Sequence, residues 1–215
     1  RRPPRSTLSA TLSPYTTLFR SGADFGTVAC TTGCLAANAD AIITGENNFD
    51  YFGTSLATGD LNADGKTDLA VGAYAYPSAS YKGAVFYYTS LNKYSTTLQR
   101  QSDGVRVTGA AGEEMKTTGI NGTSQFGYSL ATGDFNADGK TDLAVGAYAL
   151  NSSQGRVYLF YNDGSIPTSA YSPDRVITGN AVGDKFAYAL GAGDFNNDGK
   201  TDLVASAPGY NSSQG

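Results

Sequence analysis

An acidic nine-residue stretch occurs three times in this 215-residue chain. It reads DLNADGKTD at residues 60–68, DFNADGKTD at 134–142 and DFNNDGKTD at 194–202. Each copy follows an aromatic-led run (FGTSLATGD, FGYSLATGD or FAYALGAGD) and precedes a second short run (DLAVGAY, DLAVGAY or DLVASAP). Because the flanking runs repeat together with the acidic stretch, the chain is predicted to fold as an array of similar supersecondary units.

Further short runs extend two of these units. GAVFYY (83–88) and GRVYLF (155–160) predict a third strand, and segments ending in VTG (107–109) and ITG (177–179) predict a fourth. Four short strands joined by Gly-rich turns are typical of one antiparallel propeller blade. The predicted units are a blade end at 22–45, blades at 52–109 and 126–179, and a half blade at 186–215.

The sequence therefore predicts an all-β fold, a partial β-propeller of about three four-stranded antiparallel blades. Its 27 Gly, 15 Tyr and 10 Phe favour turns and strands over helices. Since closed propellers have about four to eight blades, we expect the chain to be a piece of a larger ring. Length differences between the repeats fall in the predicted connections, which makes AAGEEMKTTGINGTSQ (110–125) a predicted surface loop.

The first 21 residues stand apart from the repeats. They contain four arginines and no acid, and they lack the continuous apolar stretch of a secretory signal. Their end, PYTTLFRS (14–21), resembles the in-frame translation of a common DNA sequencing adapter. We interpret residues 1–21 as an assembly artefact, or else as a disordered basic arm, and expect them to take no part in the fold.

Composition excludes several classes of function. The formal net charge is −4 although residues 1–21 are basic, so the repeats are more acidic still and a nucleic-acid partner is not expected. The chain has no His, which removes His-based catalysis and imidazole metal ligands. No apolar run approaches the roughly 18 residues of a membrane span. We expect neither catalytic nor organic-cofactor residues, and hence no enzyme activity.

The acidic stretches have the ligand spacing of a calcium loop. Side-chain oxygens fall at positions 1, 3, 5 and 9, a backbone carbonyl at position 7, and the Gly at position 6 permits a sharp turn. Ca²⁺ accepts six to eight such hard oxygen ligands. We therefore predict about three calcium ions, with each position-7 lysine ammonium pointing away. The predicted ligands are Asp60, Asn62, Asp64, the Lys66 carbonyl and Asp68; Asp134, Asn136, Asp138, the Lys140 carbonyl and Asp142; and Asp194, Asn196, Asp198, the Lys200 carbonyl and Asp202.

Two further calcium-binding motifs, and a turn without metal, fit these stretches less well. An EF-hand needs a carboxylate at position 12, which here is Val71, Val145 or Ala205. The nine-residue period of RTX repeats is absent. A metal-free Asp/Asn/Gly turn is common for a single loop, but three copies with identical acid spacing favour calcium.

The chain has two cysteines, Cys30 and Cys34, spaced CTTGC. In an oxidising compartment they predict a small disulfide, and two unpaired thiols are the alternative.

At these motifs the sequence resembles the FG-GAP family, the repeats of integrin alpha-subunit propellers and of many secreted proteins. The resemblance covers about residues 22–215 and departs from the pattern at Ala187, Tyr74 and Tyr148. It implies a seven-bladed propeller with calcium in the hairpin loops between the first two strands of a blade. The matching residues are Phe52-Gly53, Phe126-Gly127, the three acidic stretches, Gly72-Ala73 and Gly146-Ala147.

The resemblance implies an extracellular or cell-surface module for adhesion or recognition of a protein or glycan, with calcium mainly structural. Calcium affinities of roughly 0.1–1 mM, usual for extracellular modules, agree with secretion. The many tyrosines suit a contact surface. The alternative is an accessory or scaffold propeller attached to a catalytic domain outside this sequence.

Overall fold

The computed structural model describes residues 15–18, 41–45, 49–77, 81–88, 98–101, 104–107, 114–118, 123–165 and 172–213. These residues form mainly short antiparallel strands. The strands are β1 Tyr15–Leu18, β2 Ala41–Thr44, β3 Phe52–Gly59, β4 Asp68–Ala73, β5 Ala84–Tyr88, β6 Leu98–Gln101, β7 Gly104–Val107, β8 Glu114–Thr118, β9 Ser129–Gly133, β10 Asp142–Ala147, β11 Arg156–Phe160, β12 Arg175–Thr178, β13 Leu190–Gly193 and β14 Asp202–Ala205. Two single helical turns follow β10 and β14: α1 Leu150–Ser153 and α2 Tyr210–Ser213.

Two of the sheets are complete four-stranded blades. The first has the order β3-β4-β5-β8 and the second the order β9-β10-β11-β12, with every neighbouring pair antiparallel. Strands β13 and β14 form a further two-stranded sheet. The prediction of an all-β fold built from four-stranded antiparallel propeller blades is confirmed.

The fourth strand of the first blade lies later in the chain than predicted. Strand β8 pairs with β5, with Lys116 opposite Phe86. Residues 104–107 instead pair with β6 in a separate hairpin. The prediction that the fourth strand ends in VTG (107–109) was therefore wrong, as was the assignment of 114–118 to a surface loop. The physical reason is spacing, because β8 ends as far before Phe126 in sequence as β12 ends before Phe186.

Strand β1 also differs from expectation. It pairs with β2, with Thr16 opposite Ile43, although residues 1–21 were expected to take no part in the fold. The open edge of β2 accepts an extended segment, and YTTL has high β-propensity. The predicted third strand at 26–30 and both cysteines lie outside the described residues. The adapter interpretation concerns the DNA and stays a prediction.

The apolar core lies between successive blades. Leu61 and Tyr87 of the first blade pack with Phe126, Leu143 and Phe160 of the second. A corresponding cluster joins the second blade to β13 and β14, and another joins β2 to the first blade. Because each blade buries its face against the next, the core is a series of interfaces, as expected for stacked repeats.

The Phe of the Phe126-Gly127 and Phe186-Ala187 pairs docks on the preceding blade. Phe126 and Phe186 form parallel bridges with Gly83 and Gly155, the residues that precede β5 and β11. A Cβ on either glycine would overlap the carbonyl oxygen of that phenylalanine, and both glycines have φ of +83°. The Gly at the start of the third strand is therefore required for contact with the next blade.

No helix among the residues the structure describes is long and apolar enough to cross a bilayer.

Candidate metal-binding loops

Each acidic stretch joins the first two strands of a sheet. The first lies between β3 and β4, the second between β9 and β10, and the third between β13 and β14. The strand pairing places Asp68, Asp142 and Asp202 opposite the glycine that precedes each loop. Because a loop begins and ends at adjacent points, its position-1 and position-9 carboxylates are carried on neighbouring strand ends.

The position-1 aspartate organises the turn. Asp60 accepts the backbone N–H of Asp64 at Oδ1 (2.9 Å) and that of Gly65 at Oδ2 (2.8 Å). Asp134 and Asp194 make the same two hydrogen bonds in their loops, at 2.8 to 3.0 Å. The backbone therefore wraps around the first carboxylate in all three copies.

The side chains at positions 3 and 5 also turn toward the loop backbone. Asn62 Oδ1 accepts the N–H of Asp64 at 3.1 Å, and Asp64 Oδ1 accepts the N–H of Lys66 at 2.9 Å. The corresponding bonds in the other loops measure 2.9 to 3.0 Å. Position 6 is left-handed, with φ of +82° at Gly65, which explains the invariant glycine of the three copies.

The position-9 aspartates close the loops. Asp68 is 1% exposed and accepts the N–H of Leu61 at 2.9 Å. Asp142 is equally buried and accepts two, from Phe135 and from Asn162, both at 2.9 Å. The bonds from Leu61 and Phe135 tie the last residue of each of these two loops to its second residue, so the loop is closed by its own side chain.

The third loop closes in the same way but is less covered. Asp202 accepts the N–H of Phe195 at 3.0 Å and remains partly exposed. All predicted side-chain ligands thus lie in their loops at equivalent positions in three hairpins.

The electrostatic environment differs within one loop. Burial raises the pKa of Asp142, and the neighbouring Asp138 carboxylate acts in the same direction, against the lowering effect of backbone N–H donors. The backbone N–H of Lys140 and the side chain of Asn136 lower the pKa of Asp138. A buried carboxylate beside an ionised one favours a cation between them.

The position-7 lysines contact neighbouring groups. In the first loop the Lys66 ammonium lies 3.8 Å from Asp64 Oδ2, so the prediction that it points away was wrong there. In the second loop Lys140 Nζ donates to the Asn162 carbonyl at 3.1 Å. An exposed ion pair such as that of Lys66 contributes roughly 0–1 kcal/mol, and Lys140 contacts a carbonyl instead of a carboxylate, so neither lysine replaces a divalent ion.

Within the described ranges, no three acidic or cysteine side chains converge into a group that could hold a metal. The donor chemistry nevertheless fits Ca²⁺, since every loop supplies carboxylate, amide and carbonyl oxygens. Each Asp60 oxygen accepts one N–H, whereas an ionised carboxylate has about four lone-pair sites. Acceptor capacity therefore remains for an ion.

A cluster of tyrosines lies at the opposite end of the same strands. Ring centroids are 4.8 Å apart for Tyr51 and Tyr74, 5.3 Å for Tyr74 and Tyr128, 4.5 Å for Tyr128 and Tyr148, and 5.1 Å for Tyr148 and Tyr188. The cluster runs continuously across three sheets.

Burial and a hydrogen bond raise the pKa values of three tyrosines in the cluster. A hydrogen bond with Tyr188 and burial raise the pKa of Tyr128, and burial raises that of Tyr74 and Tyr148. The sequence indicated many tyrosines but not their clustering, although Tyr128 and Tyr188 occupy equivalent repeat positions.

A protein-family model described as FG-GAP repeat matches the chain three times. The matched residues are 52–88, 126–160 and 186–215. Each match begins at the Phe of a Phe-Gly or Phe-Ala pair and contains one acidic loop, so the matches coincide with the structural repeats.

Several curated proteins are similar over most of the chain. Rat phosphatidylinositol-glycan-specific phospholipase D is 34% identical over 166 residues, 73% of this chain and 18% of its own length. Chicken integrin alpha-V is 34% identical over 173 residues, 77% of this chain and 16% of its own. Rat integrin alpha-7 is 34% identical over 158 residues, 72% and 12% respectively. The chain spans less than a fifth of each of these relatives.

Proposed function

This chain is an FG-GAP repeat protein, and from that premise we propose that its three acidic loops bind Ca²⁺ and that the ions chiefly stabilise the propeller. The observation that carries the proposal is the repeated turn. Three loops from separate hairpins hold their position-1, -3, -5 and -9 side chains with the same hydrogen bonds.

Calcium would act on the loops by neutralising charge. Each loop carries three aspartates within nine residues, at the turn between two antiparallel strands, and repulsion among like charges at this spacing opposes the fold. A bound divalent ion removes that repulsion and fixes the hairpin end, and an ion that binds only the folded state stabilises it in proportion to its concentration over Kd.

Isothermal titration calorimetry of the full chain tests this proposal. We expect the unmodified chain to bind three ions, and Asp138→Ala to bind two, because position 5 of one loop is lost. Asp174→Ala is the matched control, since it removes an exposed carboxylate outside the loops and should leave three. A chain that binds no calcium at millimolar concentration refutes the proposal.

We further propose that the module acts outside the cell or at its surface in recognition of a protein or a glycan. Affinities of roughly 0.1–1 mM keep such loops occupied in extracellular calcium. The tyrosine cluster supplies a contact surface, because Tyr51 and Tyr188 are 44% and 40% exposed and Tyr is enriched at interfaces. The integrin alpha-V and alpha-7 relatives support a binding module.

Glycan and protein arrays probed with the calcium-loaded chain test recognition. Tyr188→Ala should abolish any specific signal, whereas Tyr210→Ala, a 47% exposed tyrosine in α2, should preserve it. A specific signal that survives Tyr188→Ala places recognition elsewhere on the module.

A second candidate is an accessory propeller joined to a catalytic domain. The phospholipase D relatives favour it, because their names describe enzymes and their sequences match 73% and 75% of this chain. In this case the repeats themselves remain non-catalytic. Sequencing the locus beyond both ends decides between the two functions, since a catalytic domain in the same reading frame supports the accessory role.

A further inference from the structure

Asn162 connects the first and second acidic loops. It lies two residues beyond β11 and is 4% exposed. Its side-chain Nδ2 donates to the carbonyl of Asp60 at 2.8 Å and to that of Thr141 at 3.1 Å, while its Oδ1 accepts the N–H of Gly164 at 3.0 Å. One buried amide thus holds position 1 of the first loop and position 8 of the second.

The backbone of Asn162 holds the second loop as well. Its N–H donates to Asp142 Oδ1 at 2.9 Å, and its carbonyl accepts Lys140 Nζ at 3.1 Å. The position-9 carboxylate of the second loop and the position-1 backbone of the first are therefore joined through a single residue.

Direct packing reinforces this connection. The methyl group of Thr141 fills the space that a Cβ on Gly59 would occupy. Thr132 Oγ1 also donates to the Thr58 carbonyl at 2.8 Å. The stem of the first loop therefore rests on the second blade.

The second and third loops share only part of this arrangement. Thr201 packs against Gly133 as Thr141 packs against Gly59. Among the residues that the structure describes, however, no side chain is shown hydrogen-bonded to both of these loops. The third loop is therefore an internal control for the effect of Asn162.

We infer that Asn162 is a positioning residue that couples the two loops, so that a cation in one raises the affinity of the other. The inference rests on the proposed calcium binding. An ion that orders Asp142 also orders the backbone of Asn162, which fixes the Asp60 carbonyl through Nδ2. The second ion then meets a loop that is already ordered and binds at a lower entropic cost.

Calorimetry of full-length variants measures the coupling. Asp198→Ala disables the third loop and leaves the first two, while Asp138→Ala in that background leaves the first loop alone. We expect the first loop to bind about fivefold more tightly when the second is functional, within the usual range of couplings between sites. By reciprocity, Asp64→Ala should weaken the second loop by the same factor.

Asn162→Ala should reduce the affinity ratio to about one, because a coupling factor of one means that the two sites are independent. Each loop should still bind calcium by itself. Asn151→Ala, an exposed asparagine in α1, is the matched control and should keep the factor. In a chain whose third loop is intact, a general loss of stability caused by Asn162→Ala would instead weaken calcium binding by the third loop too. Asn162→Leu, which keeps a side chain branched at Cγ but lacks the amide, serves if Asn162→Ala does not fold.

The outcomes separate the inference from the function on which it rests. Calcium binding with no coupling in the unmodified chain, or with coupling that persists without the Asn162 amide, overturns the inference and leaves the proposed function intact. Absence of calcium binding in every loop refutes both. Coupling that is present in the unmodified chain and lost with the amide supports the inference.

Discussion

The second and third acidic loops adopt the same turn in different surroundings. Asp134 and Asp194 accept the same pair of backbone N–H groups, at distances that differ by no more than about 0.1 Å. Asp142 is nevertheless 1% exposed, whereas Asp202 is partly exposed. The nine-residue loop sequence is therefore enough to specify the turn. The burial of Asp142 comes from residues outside the loop, namely β11 and Asn162.

The comparison of the two loops assumes that both bind Ca²⁺. Removal of the ion by a chelator tests this assumption and has the largest expected effect. With calcium at about ten times Kd, each of three sites adds about 1.4 kcal/mol to the free energy of unfolding, or about 4 kcal/mol together. EDTA should therefore lower the melting temperature by about 10 °C. Differential scanning calorimetry with and without EDTA measures this, and a melt that ignores EDTA would refute the structural role of calcium.

The closing aspartates test whether burial makes the two loops different. In EDTA, Asp142→Ala leaves the part-buried N–H of Phe135 and the buried N–H of Asn162 without their acceptor. Relief of a desolvated charge offsets part of this, so we expect a loss of about 2 kcal/mol. Asp202→Ala affects only the exposed N–H of Phe195 and should cost less than about 1 kcal/mol. Urea unfolding measures both, and equal losses would show that burial does not distinguish the loops.

The residue after position 1 gives a smaller effect of the same kind. Phe135 packs on the apolar cluster between the second blade and the β13–β14 sheet, whereas Phe195 is 65% exposed. Phe135→Ala should destabilise by about 1.5 kcal/mol, less than a fully buried phenylalanine, and Phe195→Ala by within about 0.5 kcal/mol. Urea unfolding of the two variants is the measurement. A large loss at Phe195 would mean that its side chain has a partner in solution.

The repeats could be predicted from the sequence because their signals are local. Alternating short strands, acidic turns and Gly-rich connections occur within each unit, so the hairpins and loop positions followed directly. Strand β8 was missed because two segments, VTG (107–109) and TTG (117–119), end in Thr-Gly. Local β-propensity does not show which of the two is the fourth strand. Spacing does choose: Gly119 precedes Phe126 by the same interval that separates Gly179 from Phe186.

The contacts between repeats were harder to predict. Asn162 is a single polar residue after a strand, and its link to Asp60 spans 102 positions of sequence. Nothing local marks it, because its role arises only when the second blade packs on the first. The tyrosine cluster is intermediate, since its members recur at repeat positions but their contacts cross from sheet to sheet.

The lysines at position 7 provide the finest test of the comparison. Lys140 reaches the Asn162 carbonyl at 3.1 Å, whereas Lys200 lies on the exposed third loop. Lys140→Ala should cost about 0.5 kcal/mol in EDTA, because a mostly exposed charge-assisted bond contributes little, and Lys200→Ala should cost less. A double-mutant cycle with Asn162→Ala measures how much of the Lys140 effect depends on the Asn162 side-chain amide. If the Lys140 effect is unchanged in the absence of the Asn162 side chain, the lysine acts on the backbone carbonyl alone; if the effect disappears, the amide positions the carbonyl that Lys140 contacts.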